Sequence, residues 1–132
     1  MGKKLTSSEN TLDKNFKRYI RARDTQNGYG FCCTCGTGLK YEGSHAGHFL
    51  SCEYPATRWD ERNCHLQCAK CNTFQSGRQH EHGIYVDRVH GRGTTDLLLF
   101  KSKAPCKWTN DEILAMSKKY REKYNELKKV KR

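Results

Sequence analysis

The chain has little apolar material: 35% of its 132 residues are hydrophobic, and the mean hydropathy is −0.97. So polar a chain can enclose a core, but a thin one, and some further source of stability is expected. No run approaches the ~20 apolar residues of a membrane span, so no membrane is expected as a partner. The opening residues Met1-Gly2-Lys3-Lys4-Leu5-Thr6-Ser7-Ser8 lack the apolar stretch of a signal peptide. There is no low-complexity tract, and the length suits one domain over residues 1–132. Acidic residues are also scarce: 14 against 25 Lys and Arg, so 25 − 14 = +11. That excess points to a polyanionic partner, most often nucleic acid, although a solubilising surface has the same composition.

What the chain does have is cysteine. Four of its eight cysteines form two knuckles, Cys32-x-x-Cys35 and Cys68-x-x-Cys71. Paired thiolates at this spacing suit a tetrahedral zinc ion with no open position, which is a structural role. Such zinc contributes roughly 10–16 kcal/mol of apparent binding energy in small finger peptides, so the metal is expected to be part of the fold. The rival is a disulfide framework in a secreted protein. Knuckle spacing, high lysine content and the lack of a targeting stretch argue instead for a reducing cytosol. Cys33, Cys52, Cys64 and Cys106 read as small buried hydrophobes.

Hydrophobic periodicity predicts a helix over 8–24, with Leu12, Phe16, Tyr19, Ile20 and Arg23 on one side. Asn27-Gly28 and Gly30 open a turn after it. A strand is expected over His45–Cys52 and its antiparallel partner over Asn63–Gln67, with a loop between. The second knuckle should lead into a helix from about Asn72, made imperfect by Gly77 and Gly83. Thr94–Phe100 is apolar and suits either strand or helix, with helix the favoured reading. Thr109-Asn110-Asp111-Glu112 has the form of a capping box opening a helix over 109–131. In that helix Ile113, Met116, Tyr120, Tyr124 and Leu127 share a face suited to the core or to a dimer partner. The basic tail from Lys128 is expected to fray.

The order knuckle, hairpin, knuckle, helix is that of a treble-clef zinc fold. The expected class is therefore α+β: a zinc-stapled core over 29–91 with a ββα hairpin–helix, flanked by N- and C-terminal helices. The residues resemble the HNH, or ββα-metal, nucleases. His48 matches their strand histidine, Asn63 their middle asparagine, and Asn72 the residue that follows the last zinc cysteine. A more specific resemblance runs through Tyr19-Ile20-Arg21-Ala22-Arg23-Asp24, Cys32-Cys33-Thr34-Cys35-Gly36, Ala46-Gly47-His48-Phe49, Arg58, the run Asn63–Asn72, and Ser76-Gly77. This ordered set is similar to the phage recombination NinG family, also called Rap.

That resemblance implies a phage-type DNA endonuclease acting on branched recombination intermediates such as Holliday junctions. Its setting would be the cytoplasm of a bacterial or phage-infected host cell. His48 would be the general base and Asn72 a ligand of a catalytic Mg²⁺ or Mn²⁺. Asn63 would brace the loop and orient His48. Arg58 and Arg78 are candidate nucleic-acid contacts, because a guanidinium grips phosphate in two places. Many HNH enzymes carry Asp directly before the histidine, and here Gly47 stands there. Either Asn72 is the single strong protein ligand, or His45 contributes from three positions away, which alternation along a strand disfavours. Asn72 has a rival reading as a helix N-cap. His65 reads as a hairpin filler, and His80, His82 and His90 as surface residues. Symmetric junction cutting would call for a homodimer. The alternative function is a non-catalytic zinc-stabilised DNA-binding module, and an RNA target has the same charge requirement.

Overall fold

A computed structural model describes residues 4–131. Its first helix, α1 (Ser7–Arg23), starts at Thr6, whose side chain accepts from Glu9 N while the Glu9 side chain accepts from Thr6 N. This capping box holds two amides that the helix itself leaves unpaired. Leu12, Phe16 and Ile20 are fully buried along one face, as the periodicity predicts. Three short strands follow: β1 (Thr25–Gln26), β2 (Tyr29–Phe31) and β3 (Gly38–Lys40), antiparallel in that order. Asn27 and Gly28, both at positive φ, make the first turn.

The second sheet is a hairpin of β4 (His45–His48) and β5 (Cys64–Gln67), with His45 opposite Gln67 and His48 opposite Cys64. Both strands are shorter than expected. β4 stops at His48, and Asn63 closes a 3-10 turn (Glu61–Asn63) instead of opening the strand. The intervening loop also contains a short helix, α2 (Pro55–Arg58), with Pro55 in its first turn.

The continuous helix expected from Asn72 is absent. The second knuckle passes into a π-helical turn (Lys70–Phe74), and Ser76, Gly77 and Arg78 all adopt positive φ. Only then does α3 (Gln79–His90) begin. Gly77 breaks the helix by its left-handed conformation, while Gly83 lies inside α3, where a Cβ would press on the Phe49 ring. Then come α4 (Thr94–Ser102) and α5 (Asn110–Val130). The Thr109–Glu112 capping box is formed.

α5 lies along α1. Ile113 and Tyr120 join Leu12, Phe16, Tyr19, Ile20, Ala46, Trp59 and Cys64 in the main core, with Met116, Tyr124 and Leu127 packed at its edge. A smaller cluster of Phe49, Leu50, Val86 and Leu98 sits under α3 and α4. The C-terminal tail does not fray before its last described residue: Lys131 Nζ donates to the carbonyls of Ala22, Arg23 and Thr25. A cation thus closes the C-terminal end of α1, where the helix dipole favours it. No helix among the described residues is long and apolar enough to cross a membrane.

Candidate metal centre and active site

The sulfur atoms of Cys32, Cys35, Cys68 and Cys71 all lie within 4.8 Å of one another. Cys35 and Cys68 are 3.8 Å apart, which is about the sulfur–sulfur edge of a tetrahedron with ~2.3 Å metal–sulfur bonds. Gly36, at positive φ, lets its own N–H turn back onto the Cys32 carbonyl at 2.9 Å. Asn72 N likewise reaches Cys68 O at 3.0 Å, and Cys71 N reaches Cys68 Sγ at 3.4 Å. Burial works against a thiolate at Cys32, but the Thr34 hydroxyl and nearby amides outweigh it and lower the thiol to about 6. Burial, together with the surrounding sulfurs, pushes Cys68 up to about 12. Four negative sulfurs this close repel one another unless a cation sits among them. The cluster could therefore hold a metal ion such as zinc, and it is the only such cluster among the described residues.

His48 ends β4. Its Nε2 lies 2.9 Å from the Arg58 carbonyl oxygen, which can only accept, so Nε2 carries the proton and Nδ1 the lone pair. Cys52 Sγ sits 3.5 Å from Nδ1. Burial of most of the ring is the main cause that brings His48 down to about 4, so it is neutral at pH 7. Asn63 is fully buried, and its side-chain hydrogen bonds go to the loop and not to His48. Its Oδ1 accepts from Leu50 N at 2.8 Å, and its Nδ2 donates to Leu50 O and Thr57 O. It braces the loop that ends at the Arg58 carbonyl.

Asn72 lies inside the π-helical turn and is no N-cap; Arg78 occupies that position for α3. Asn72 Nδ2 lies 2.9 Å from His45 Nδ1, so His45 does reach the predicted metal ligand. Gly47 explains the approach. A Cβ there would collide with Gln67 Oε1 and come within 3.1 Å of Asn72 Oδ1. An Asp at this position would displace Gln67, whose Nε2 ties Thr34 to Gly77 O. Gln67 Oε1 is itself buried without a partner. His48 and Asn72 line one cleft, together with Lys17, Ser51, Cys52, Ser76, Gly77 and Gln79.

The two arginines are placed differently from one another. The Arg58 guanidinium is turned inward, bonded to both oxygens of Asp13 and to Cys52 O, so it is not free to grip a phosphate. Arg78 is more exposed and reaches Glu81 Oε1 at 3.5 Å. The Cys71 thiol, ahead of Glu81, raises its affinity for its proton.

The histidines beyond the motif are not all surface residues. His65 and His82 are fully buried. His65 Nδ1 lies 3.0 Å from His82 Nε2, and His65 Nε2 lies 2.8 Å from His90 Nε2. Single shared protons fit these spacings. The spacing His82–Val86–His90, one turn apart on a single face of α3, is the sequence signal that could have shown it. Neither Asp13 nor Cys52 carries a comparable signal.

Fold and site together define a small α+β protein built around a four-cysteine centre that could bind metal, with a histidine–asparagine cleft beside it. The family model described as "Bacteriophage Lambda NinG protein" matches residues 2–131, and the chain belongs to that family. Similar proteins include "Protein ninG" of Salmonella phage P22, 32% identical over 111 residues, which are 83% of this chain and 52% of that protein. "Protein ninG" of Escherichia phage 933W is 32% identical over 83% of this chain and 53% of its own length. That of Escherichia phage lambda is 30% identical over 83% and 52%. The chain thus spans about half the length of the curated relatives it matches. No solved structure matches it.

Proposed function

We propose that this chain is a metal-dependent DNA endonuclease of the HNH, ββα-metal kind, acting on branched DNA. The zinc-stapled treble clef would be its scaffold. The observation that carries the reading is the common cleft of His48 and Asn72, set between the cysteine knuckles. His48 lines that cleft with an unprotonated Nδ1 beside the Cys52 thiol, and Nδ1 can accept a proton from an attacking water. Its Nε2–H stays on the Arg58 carbonyl, so the imidazolium formed is held in place. Lys17 lines the same cleft, stays 42% exposed although its Nζ is 3.7 Å from Asp13 Oδ2, and can meet a phosphate.

Asn72 offers a carboxamide at the cleft, with His45 Nδ1 bonded behind it and Gln67 Oε1 buried beside Gly47, a neutral donor set that fits a divalent ion weakly. Mg²⁺ or Mn²⁺, when bound, would stabilise charge on the phosphate and on the departing 3′ oxygen. With no carboxylate among these donors, the DNA phosphate itself supplies the missing negative charge, so cation and DNA bind together. The +11 charge supports a nucleic-acid substrate. Preference for branches rests on the family resemblance.

The test is incubation of purified protein with matched four-way junction, flap and linear DNA, with and without Mn²⁺. Cation-dependent nicking, strongest on branched substrates, is expected. Salt-sensitive binding with no cleavage under any cation would leave only the zinc-stabilised DNA-binding module.

A further inference from the structure

Five residues outside the cysteine centre form a connected chain that ends on His48. Asp13, on α1, accepts from Arg58 Nε at 3.1 Å and Trp59 Nε1 at 2.9 Å through Oδ1, and from Arg58 Nη2 at 2.7 Å through Oδ2. The remaining Arg58 nitrogen, Nη1, donates to Cys52 O at 2.9 Å. The Arg58 main-chain carbonyl then takes the Nε2 proton of His48, and the Cys52 thiol faces Nδ1. Arg58 therefore governs both sides of the imidazole, one through its own backbone and the other through the loop it holds.

We propose that Asp13 and the Arg58 side chain are positioning residues for His48, fixing from α1 the carbonyl that decides which imidazole nitrogen is free. The proposal rests on His48 being the base of the reaction above. Its physical motive is geometric. The Asp13 and Arg58 side chains are 14% and 16% exposed, so the ion pair is largely desolvated. Such a pair contributes little net stability compared with apolar packing of the same volume. A bidentate carboxylate–guanidinium pair does fix an angle, which apolar contact does not. The loop it anchors has few alternatives: Asn63 holds Leu50 and Thr57, and Arg58 with Asp13 holds Cys52 and Trp59. The charged and titratable groups around the ring are Lys17 and Asp13 from α1, Arg58 from α2 and Cys52 from the loop, with His82 of α3 within electrostatic reach.

Arg58→Ala keeps the carbonyl and removes the guanidinium, while Asp13→Asn weakens the tether and keeps the guanidinium, so DNA affinity read beside kcat in the two separates this role from a phosphate contact. The variants are Arg58→Ala, Asp13→Asn, Asp13→Ala and the double Asp13→Ala/Arg58→Ala, compared with the full chain. Cleavage kinetics, DNA affinity, bound zinc and the His48 imidazole nitrogen resonances are read for each. The expected result is a kcat lower by about tenfold to hundredfold, the range found when residues orienting a catalytic group are removed. DNA affinity and zinc content stay unchanged. The His48 signals move from a single Nε2–H tautomer toward a mixture. The double variant is no worse than either single one, as members of one connected unit should be. Weakened DNA binding with kcat intact would make Arg58 a phosphate contact and overturn the proposal. An unchanged tautomer in Asp13→Asn and Arg58→Ala would overturn it as well. If the unaltered protein cleaves no DNA, the nuclease reading fails, while the tautomer measurement still decides whether this tether orients the ring.

Discussion

Between α1 and α5 the core contacts are apolar: Leu12, Phe16 and Ile20 meet Ile113 and Tyr120, with the Phe16 and Tyr120 rings edge to face at 4.9 Å, and a polar pin at the side where Asn15 Nδ2 donates to Ser117 Oγ at 2.9 Å. Around the hairpin the contacts are polar. Asn63, Gln67, His65 and His82 are all fully buried there, and the cysteines close the far end. The first region is an ordinary amphipathic helix pair, stabilised by removing apolar surface from water. The second buries groups that cost free energy unless each finds a partner. A fold divided this way keeps the cleft rigid through directional bonds and lets the helix pair supply the cohesion.

Breaking the cysteine centre should separate the two regions most clearly. Cys71→Ser or a strong chelator is expected to abolish the cooperative melt of the hairpin and α3, with a loss on the order of 10 kcal/mol of metal-linked stability. Calorimetry beside zinc analysis checks this; an identical melt with and without chelator would contradict it. Phe16→Ala attacks the other region and should cost about 3–5 kcal/mol, because its ring is fully buried. Zinc content should remain at the unaltered level, as measured by metal analysis on the folded fraction.

Acid tests the polar region alone. Burial first holds His82 at about 4 and His65 at about 2. For groups whose folded pKa lies below the unfolded value near ~6.5, the unfolded chain binds more protons, so stability is complete above that value and falls as pH drops through it. His82 alone then accounts for roughly 3 kcal/mol lost between about pH 6.5 and 4. Denaturant melts across this window should show the loss, and His82→Phe should lessen it by about that share, leaving the parts due to His65 and His48. A stability independent of pH there would sink the buried-histidine account. The smallest effect is at the capping box of α5: Thr109→Ala should cost about 1 kcal/mol by thermal melt, with cleavage untouched.

The same division sets what the sequence reveals. α1 and α5 are legible because long helices bury residues at a regular period and because Thr109 and Glu112 spell a capping box. The cysteine centre is legible from its knuckle spacing. The β1–β3 sheet is not, since strands of two or three residues are too short for an alternation to register. Nor is the break between the π-helical turn and α3, where Ser76 and Arg78 join Gly77 at positive φ. In the cleft, His48 and Asn72 are found by their place relative to the cysteines. The inward turn of Arg58 is hidden because its partner, Asp13, lies far away in sequence on the polar side of a helix. Alternation along the strand from His48 points His45 away from Asn72; the contact the two make depends on the bare Gly47 between His45 and His48.

The most direct test is cleavage of a four-way junction in Mn²⁺ by the unaltered protein and by His48→Ala, matched for zinc content and DNA affinity. The account predicts nicking by the first and a loss of at least about a hundredfold by the second, as removal of a general base produces. Equal cutting by both would contradict it.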